Sequence, residues 1–227
     1  REIIAYHEAG HALVSHYLPA ALPLRKITIV PRGMGLGLTW YMEDDNLLPN
    51  ESQLKAQIAS TLGGRVAEEI VYGDVTAGAS NDLQRVTQIA RQMVTQFGMS
   101  EDMGLRVYGQ KQEMVFLGRE ISEQRDYSDA IAEKIDKEVR GIIDGQYKVA
   151  TEILTAHREH LDLLATTLLE EETLEAEEFV TLIEGHERKK TSPATLTQPR
   201  RERVEPEGKA NKGDNPSLNL PPAPSPA

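Results

Sequence analysis

The sequence predicts a mainly α-helical domain with one small β-hairpin or sheet, followed by a disordered tail. Three observations carry that expectation. Apolar residues recur at helical spacing over most of residues 1–186, strand-like alternation is confined to one stretch between residues 26 and 41, and the composition changes sharply near Gly185. Of the 227 residues, 39% are hydrophobic, which is enough to build a core within one or two domains.

The first helix is expected over residues 1–18, where Ile3, Ile4, His7, His11 and Val14 or Ser15 recur on one side and Pro19 stops the pattern. Lys26 to Val30 reads as a strand ended by Pro31-Arg32-Gly33. Gly35 to Tyr41 reads as a second strand, paired with the first across a glycine-rich turn. Residues 51–72 and 81–97 are expected as helices separated by a loop from Gly73 to Ser80, and a short strand is expected at Met114 to Leu117. From about Tyr127 to Leu169, Ile131, Ile135, Val139, Ile142 and Ile143, then Ile153, Leu154, Leu161, Leu164 and Leu168, predict two long amphipathic helices. A short helix over Thr173 to Glu184 would follow, with Thr173 as its cap and Glu175 and Glu177 near its positive end. Residues 187–227 hold eight of the 12 prolines and no aromatic residue, so they cannot bury enough apolar surface to offset the entropy of ordering them. The expected division is a folded domain over residues 1–186 and a Pro-rich tail over 187–227.

Charge and composition narrow the chemistry. The chain has 25 basic and 36 acidic residues, net charge −11; the tail takes eight and five of these, which leaves residues 1–186 with 17 against 31. A surface that acidic argues against a nucleic-acid partner. Without cysteine there is no disulfide, iron–sulfur cluster, Cys-based zinc finger or thiol nucleophile, so any metal must be held by His and carboxylates. No run approaches the roughly 20 apolar residues of a membrane-spanning helix, and the N-terminus has no signal-peptide pattern, so the chain as given is expected to be soluble. It opens with Arg1 directly in a helical pattern, which reads as a piece of a longer polypeptide.

The sharpest motif is His7-Glu8-Ala9-Gly10-His11, an H-E-x-x-H pattern within the first helix. Four residues turn an α-helix by about 400°, so His7 and His11 stand one turn apart on nearly the same face, at the separation two imidazoles need to share one zinc ion. Glu8 lies beside that face, where it can take a proton from the activated water and later deliver it to a leaving amine. The ordinary alternative is a helix with two hydrogen-bonded histidines and a surface glutamate.

A catalytic zinc needs a third protein ligand. Tyr17 stands where the longer H-E-x-x-H-x-x-G-x-x-H pattern would place a third His, His16 points well round the helix, and His157, His160 and His186 carry no ligand spacing. A carboxylate should therefore complete the set. The candidates are Glu68 or Glu69 in Gly63-Gly64-Arg65-Val66-Ala67-Glu68-Glu69-Ile70, and Asp82 in Thr76-Ala77-Gly78-Ala79-Ser80-Asn81-Asp82-Leu83. Each also has a plain structural reading. Ser80 can cap a helix whose first turn favours an acid at Asp82, and one of the glutamates can pair with Arg65.

The run Ala5-Tyr6-His7-Glu8-Ala9-Gly10-His11-Ala12, with Lys26-Ile27-Thr28-Ile29-Val30-Pro31-Arg32-Gly33, Gly64-Arg65-Val66-Ala67-Glu68-Glu69, Gly78-Ala79-Ser80-Asn81-Asp82-Leu83 and Gly98-Met99-Ser100, strongly resembles the FtsH family of membrane-anchored, AAA-type, ATP-dependent zinc metallopeptidases. The similarity covers about residues 1–185, including Phe116-Leu117-Gly118-Arg119-Glu120 and Ile135-Asp136-Lys137-Glu138-Val139. It implies a zincin-type helical peptidase domain with Zn²⁺ as cofactor, His7, His11 and Asp82 as metal ligands, and Glu8 as catalytic base and then acid. Glu69 keeps a place as a rival third ligand or as a residue behind the ligands. The chain has no G-x-x-x-x-G-K-[ST] phosphate loop, so ATP and Mg²⁺ would belong to an AAA ATPase module elsewhere in a full-length parent.

The resemblance further implies a homohexameric parent that feeds unfolded or misassembled membrane and soluble polypeptides to this site. That parent would be anchored in the bacterial inner membrane, or its organelle equivalent, with this domain on the cytoplasmic side. Family members bind an extended substrate beside an edge strand near the zinc, and Gly35 and Gly37 would allow a backbone to come close. The competing reading is an ordinary hairpin with Trp40 and Tyr41 in the core. At the level of function, the rivals are a catalytically inactive hexamer-forming assembly module and a zinc hydrolase that uses Glu69.

Overall fold

A computed structural model describes residues 1–31, 37–41, 48–109 and 126–191. The glycine-rich turn, the strand expected at Met114 to Leu117, the Phe116 to Glu120 motif and most of the Pro-rich tail lie outside the described residues. In chain order the elements are α1 (Glu2–Tyr17), β1 (Leu24–Thr28), β2 (Leu38–Tyr41), α2 (Glu51–Tyr72), a 3₁₀ turn (Ala77–Ala79), α3 (Ser80–Thr95), α4 (Asp129–Ala156), α5 (Arg158–Glu171), β3 (Thr173–Glu175) and α6 (Ala176–Thr191). The expected mainly α class with one small sheet is what the chain adopts. Arg1–Thr191 form one compact unit, which α6 closes.

Local chemistry sets the helix ends. Asn50 and Gln53 form a reciprocal capping box at the start of α2, and Gly73 ends that helix in the left-handed conformation. Ser128 accepts the Ile131 N–H to start α4. α3 departs from expectation. Ser80 is its first residue rather than its cap; Ala79 precedes it with no side-chain bond, and Thr76 instead caps the short 3₁₀ turn.

The end of α5 also departs. Thr173 does not cap a helix but opens β3, because Glu172 turns the chain in a left-handed conformation and sends residues 173–175 alongside β1. Among the described residues the sheet is therefore three-stranded and antiparallel, in the order β2-β1-β3. Ile27 sits between Thr39 and Leu174 on the face turned to the helices, while Lys26 sits between Trp40 and Glu175 on the other. Trp40 and Tyr41 consequently cannot share the core: Trp40 is 41% exposed, whereas Tyr41 packs inward.

The main core joins α1, β1, α2, α5 and α6 through residues such as Leu13, Ile27, Val66, Leu164, Phe179 and Ile183, all fully or almost fully buried. Burying each of the larger aliphatic side chains contributes about 1.5–3 kcal/mol. A second cluster, Leu54, Ile58, Leu62, Val86 and Met93, fixes α3 on α2 beneath α4. α1 and α2 are pressed together at Gly10 and Gly63. A Cβ on Gly10 would fall 2.3 Å from the Gly63 carbonyl oxygen, and one on Gly63 would fall 2.5 Å from the Gly10 oxygen. This backbone contact sets α2 directly beneath the histidine face of α1.

Candidate metal centre

α1 carries His7 and His11 one turn apart, with their rings edge to face at 4.6 Å between centroids. Their Nε2 atoms lie 3.0 Å from each other. The first turn of α3 brings Asp82 to them, its Oδ2 3.2 Å from His7 Nε2 and 3.5 Å from His11 Nε2. Among the described residues this is the one group of three or more His or acidic side chains whose ligand atoms all lie within 4.8 Å of one another.

The outer nitrogens decide the tautomers. His11 Nδ1 lies 2.8 Å from the Ser60 carbonyl oxygen, which can only accept, so Nδ1 carries the proton. His7 Nδ1 likewise donates to Glu68 Oε1 at 2.7 Å. Both Nε2 lone pairs are thereby turned inward, toward each other and toward a carboxylate oxygen. Three electron-rich atoms this close repel unless a cation stands among them. Two imidazoles and one carboxylate, with the imidazole N–H groups held from behind, form a donor set suited to catalytic zinc. Gly64 keeps the space beside them open, since a Cβ there would come within 2.6–2.7 Å of His11 Nε2 and His7 Nε2.

Electrostatics agree with an ionised carboxylate. Burial would raise the Asp82 carboxyl, but the two imidazoles set against it, His11 first and then His7, outweigh burial and hold it well below the usual carboxylate range. Burial would lower His11, yet Asp82 and Glu8 together raise it.

Glu8, 6% exposed, projects beside the histidines, and its Oε2 accepts a hydrogen bond from the Thr39 hydroxyl at 2.5 Å. The Tyr41 phenol is pushed up by burial and by the Glu8 charge.

Of the candidate acids, Asp82 converges on the histidines and Glu69 does not. Glu69 is exposed and bonds the Tyr147 hydroxyl. Glu68, 2% exposed, occupies the supporting position considered for Glu69: one oxygen holds His7, and the other accepts the Thr76 N–H at 2.8 Å. The remaining histidines lie elsewhere. His157 stacks on Tyr17 at 3.6 Å, His160 Nδ1 meets the Tyr17 hydroxyl at 2.6 Å, His186 reaches Glu159, and His16 stands edge-on to Phe179. No local sequence signal marks Ser60, Gly64 or Thr39 as part of the site; Gly64 lies within a motif, but the residues it meets are distant in the chain.

Residues 1–182 match the model of Peptidase family M41. The chain is 48% identical over 200 residues to the ATP-dependent zinc metalloprotease FtsH 1 of Conexibacter woesei, covering 88% of this chain and 31% of that protein. It is 46% identical to the ATP-dependent zinc metalloprotease FtsH of Chloroflexus aggregans, covering 99% of this chain and 35% of the relative. With the enzyme of the same name from Thermotoga maritima the identity is 48%, over 79% of this chain and 30% of the relative. The chain thus spans about a third of the length of the curated relatives it matches.

Proposed function

The chain belongs to peptidase family M41, and we propose that it is the zinc-dependent endopeptidase domain of an FtsH-like, ATP-dependent protease. The observation that carries the proposal is the convergence of His7 Nε2, His11 Nε2 and Asp82 Oδ2 beside the buried Glu8 carboxylate. His7, His11 and Asp82 would hold the zinc. A zinc ion held there would supply the Lewis acidity that makes a water nucleophilic near neutral pH and polarises a carbonyl. Glu8 accepts the proton of the attacking water on its carboxylate and later gives it to the leaving amine nitrogen. Glu68 and the Ser60 carbonyl keep both imidazoles in the tautomer that leaves Nε2 bare.

Substrate is an extended polypeptide that pairs with β2. Among the described residues β2 is an edge strand, and main-chain pairing accepts many side chains, as a protease of broad specificity requires. The peptidase domain runs through α6, with residues beyond it as a tail. In the whole protein, we place an AAA ATPase module, a membrane anchor and a homohexameric assembly around this domain. Its substrates would be unfolded or misassembled membrane and soluble proteins. Among the described residues no helix is long and apolar enough to cross a membrane.

The test is zinc content measured together with cleavage of an unfolded protein, before and after chelation. Stoichiometric zinc whose removal abolishes cleavage and whose return restores it supports the reading. Cleavage that survives complete removal of the metal sinks it.

A further inference from the structure

We propose that Thr39 is a positioning residue for catalysis: its hydroxyl holds the Glu8 carboxylate and ties the base to the edge strand. The inference rests on the reading of Glu8 as the proton acceptor.

Thr39 lies in β2 opposite Ile27, so its side chain is on the helix-facing side of the sheet. There its hydroxyl donates to Glu8 Oε2 at 2.5 Å, a charge-assisted bond at the short end of the range. The same hydroxyl lies 3.4 Å from the Glu8 backbone oxygen, a second acceptor that competes only weakly for its single proton. Two residues earlier on the same side, Gly37 passes so close that a Cβ would fall 2.6 Å from Glu8 Oε1 and 2.9 Å from its Cγ. One carboxylate oxygen is therefore bonded by β2 and the other lies directly against Gly37, just before that strand. A glutamate side chain has three rotatable bonds, and among the described residues the Thr39 hydroxyl is the side-chain donor that bonds its carboxylate and favours one rotamer. Proton transfer requires the acceptor oxygen within hydrogen-bond reach of the attacking water, and a base free to swing spends part of its time outside that geometry.

The placement has a second consequence. The outward residues of the same strand, Leu38 and Trp40, are 38% and 41% exposed, and the β2 edge is where an extended chain would add. A strand that binds there orders the segment that holds the base. Substrate occupancy and base alignment are then coupled through a single side chain.

The experiment compares Thr39→Val, Thr39→Ser and Glu8→Gln in the zinc-loaded full chain. Val keeps the size and β-preference of Thr but has no donor, and Ser keeps the donor. Zinc content, melting temperature, and kcat and KM on an unfolded substrate are measured, with crystal structures of the wild type and Thr39→Val. The expected result for Val is a fall in kcat of about 10- to 100-fold with KM, zinc and melting temperature unchanged, and a Glu8 carboxylate spread over more than one rotamer. Ser should recover most of the loss. Full activity in Glu8→Gln would overturn the reading of the base itself. An inactive Glu8→Gln beside a Thr39→Val protein with wild-type kcat and an unmoved Glu8 would overturn the role of Thr39 alone. Should every variant prove inactive for want of a partner module, the crystallographic position of Glu8 still decides.

Discussion

His7 and Glu68 are joined through the outer nitrogen of the imidazole: Nδ1 donates to Oε1 at 2.7 Å, while the other oxygen of the same buried carboxylate accepts the Thr76 N–H. Glu68 thus connects α1 to the segment that leads into α3, where Asp82 begins. The orientation of one proposed ligand and the path of the chain toward another depend on one side chain.

Replacing Glu68 should therefore act on the metal before the fold. Glu68→Ala takes the acceptor from the partly buried His7 Nδ1–H and from the Thr76 N–H, which sits on an exposed residue where water can replace it, and frees the His7 ring. Zinc affinity, measured by competition with a chelator, is expected to fall about 10- to 100-fold. Wild-type affinity in this variant would show that His7 is held by other means.

Asp82 and Glu69 separate the two carboxylate assignments. Asp82→Ala removes the oxygen nearest both Nε2 atoms, so zinc occupancy and cleavage should fall together. Glu69→Ala removes a partner of the Tyr147 hydroxyl on an exposed stretch of α2 and should leave the metal in place. Elemental analysis of both purified variants reads the difference, and loss of zinc from Glu69→Ala alone would reverse the choice.

Glu8→Gln tests the base without disturbing the ligands. The amide has nearly the same shape and can still accept the Thr39 hydrogen bond, but it cannot take a proton from water. Cleavage should drop by about 10² or more while bound zinc stays stoichiometric. Substantial turnover by the metal-replete variant would assign the base elsewhere.

Some of this site could be read along the chain, and some could not. His7 and His11 declare themselves because four residues bring a helix back to the same face. Glu68 and Glu69 are adjacent and differ by about 100° around α2. Which of them meets His7 depends on how α2 lies against α1, and that is fixed by backbone contact at Gly10 and Gly63, more than fifty residues apart. Asp82 is ambiguous in sequence for a different reason: an acid in the first turn of a helix is favoured by the dipole whether or not it binds metal, and only the family resemblance separates the two. Thr173 has the look of a cap because its immediate neighbours resemble a helix start. Its strand pairs with Thr28 across 145 positions, which no local pattern encodes.

The glycines of α2 and α4 supply the final prediction, because the same substitution should act in three ways. At Gly63 a new Cβ meets the backbone of α1 at 2.5 Å, and backbone cannot rotate away. Gly63→Ala should force the helices apart at a cost of about 1–3 kcal/mol or more, lowering the melting temperature by roughly 2–4 °C for each kcal/mol. At Gly64, one residue on, the Cβ meets the ends of the His7 and His11 side chains, which can turn aside. Gly64→Ala should keep a cooperative melting transition yet bind zinc poorly. At Gly141, within α4, nothing lies within 4 Å, so Ala gains helix propensity without a clash and should stabilise the protein by about 0.5–1 kcal/mol. Thermal melts of the three variants, each with and without added zinc, distinguish the effects. If Gly63→Ala melts like the wild type, α1 and α2 are not in backbone contact, and if Gly64→Ala retains full zinc affinity, the metal does not sit where the two Nε2 atoms converge.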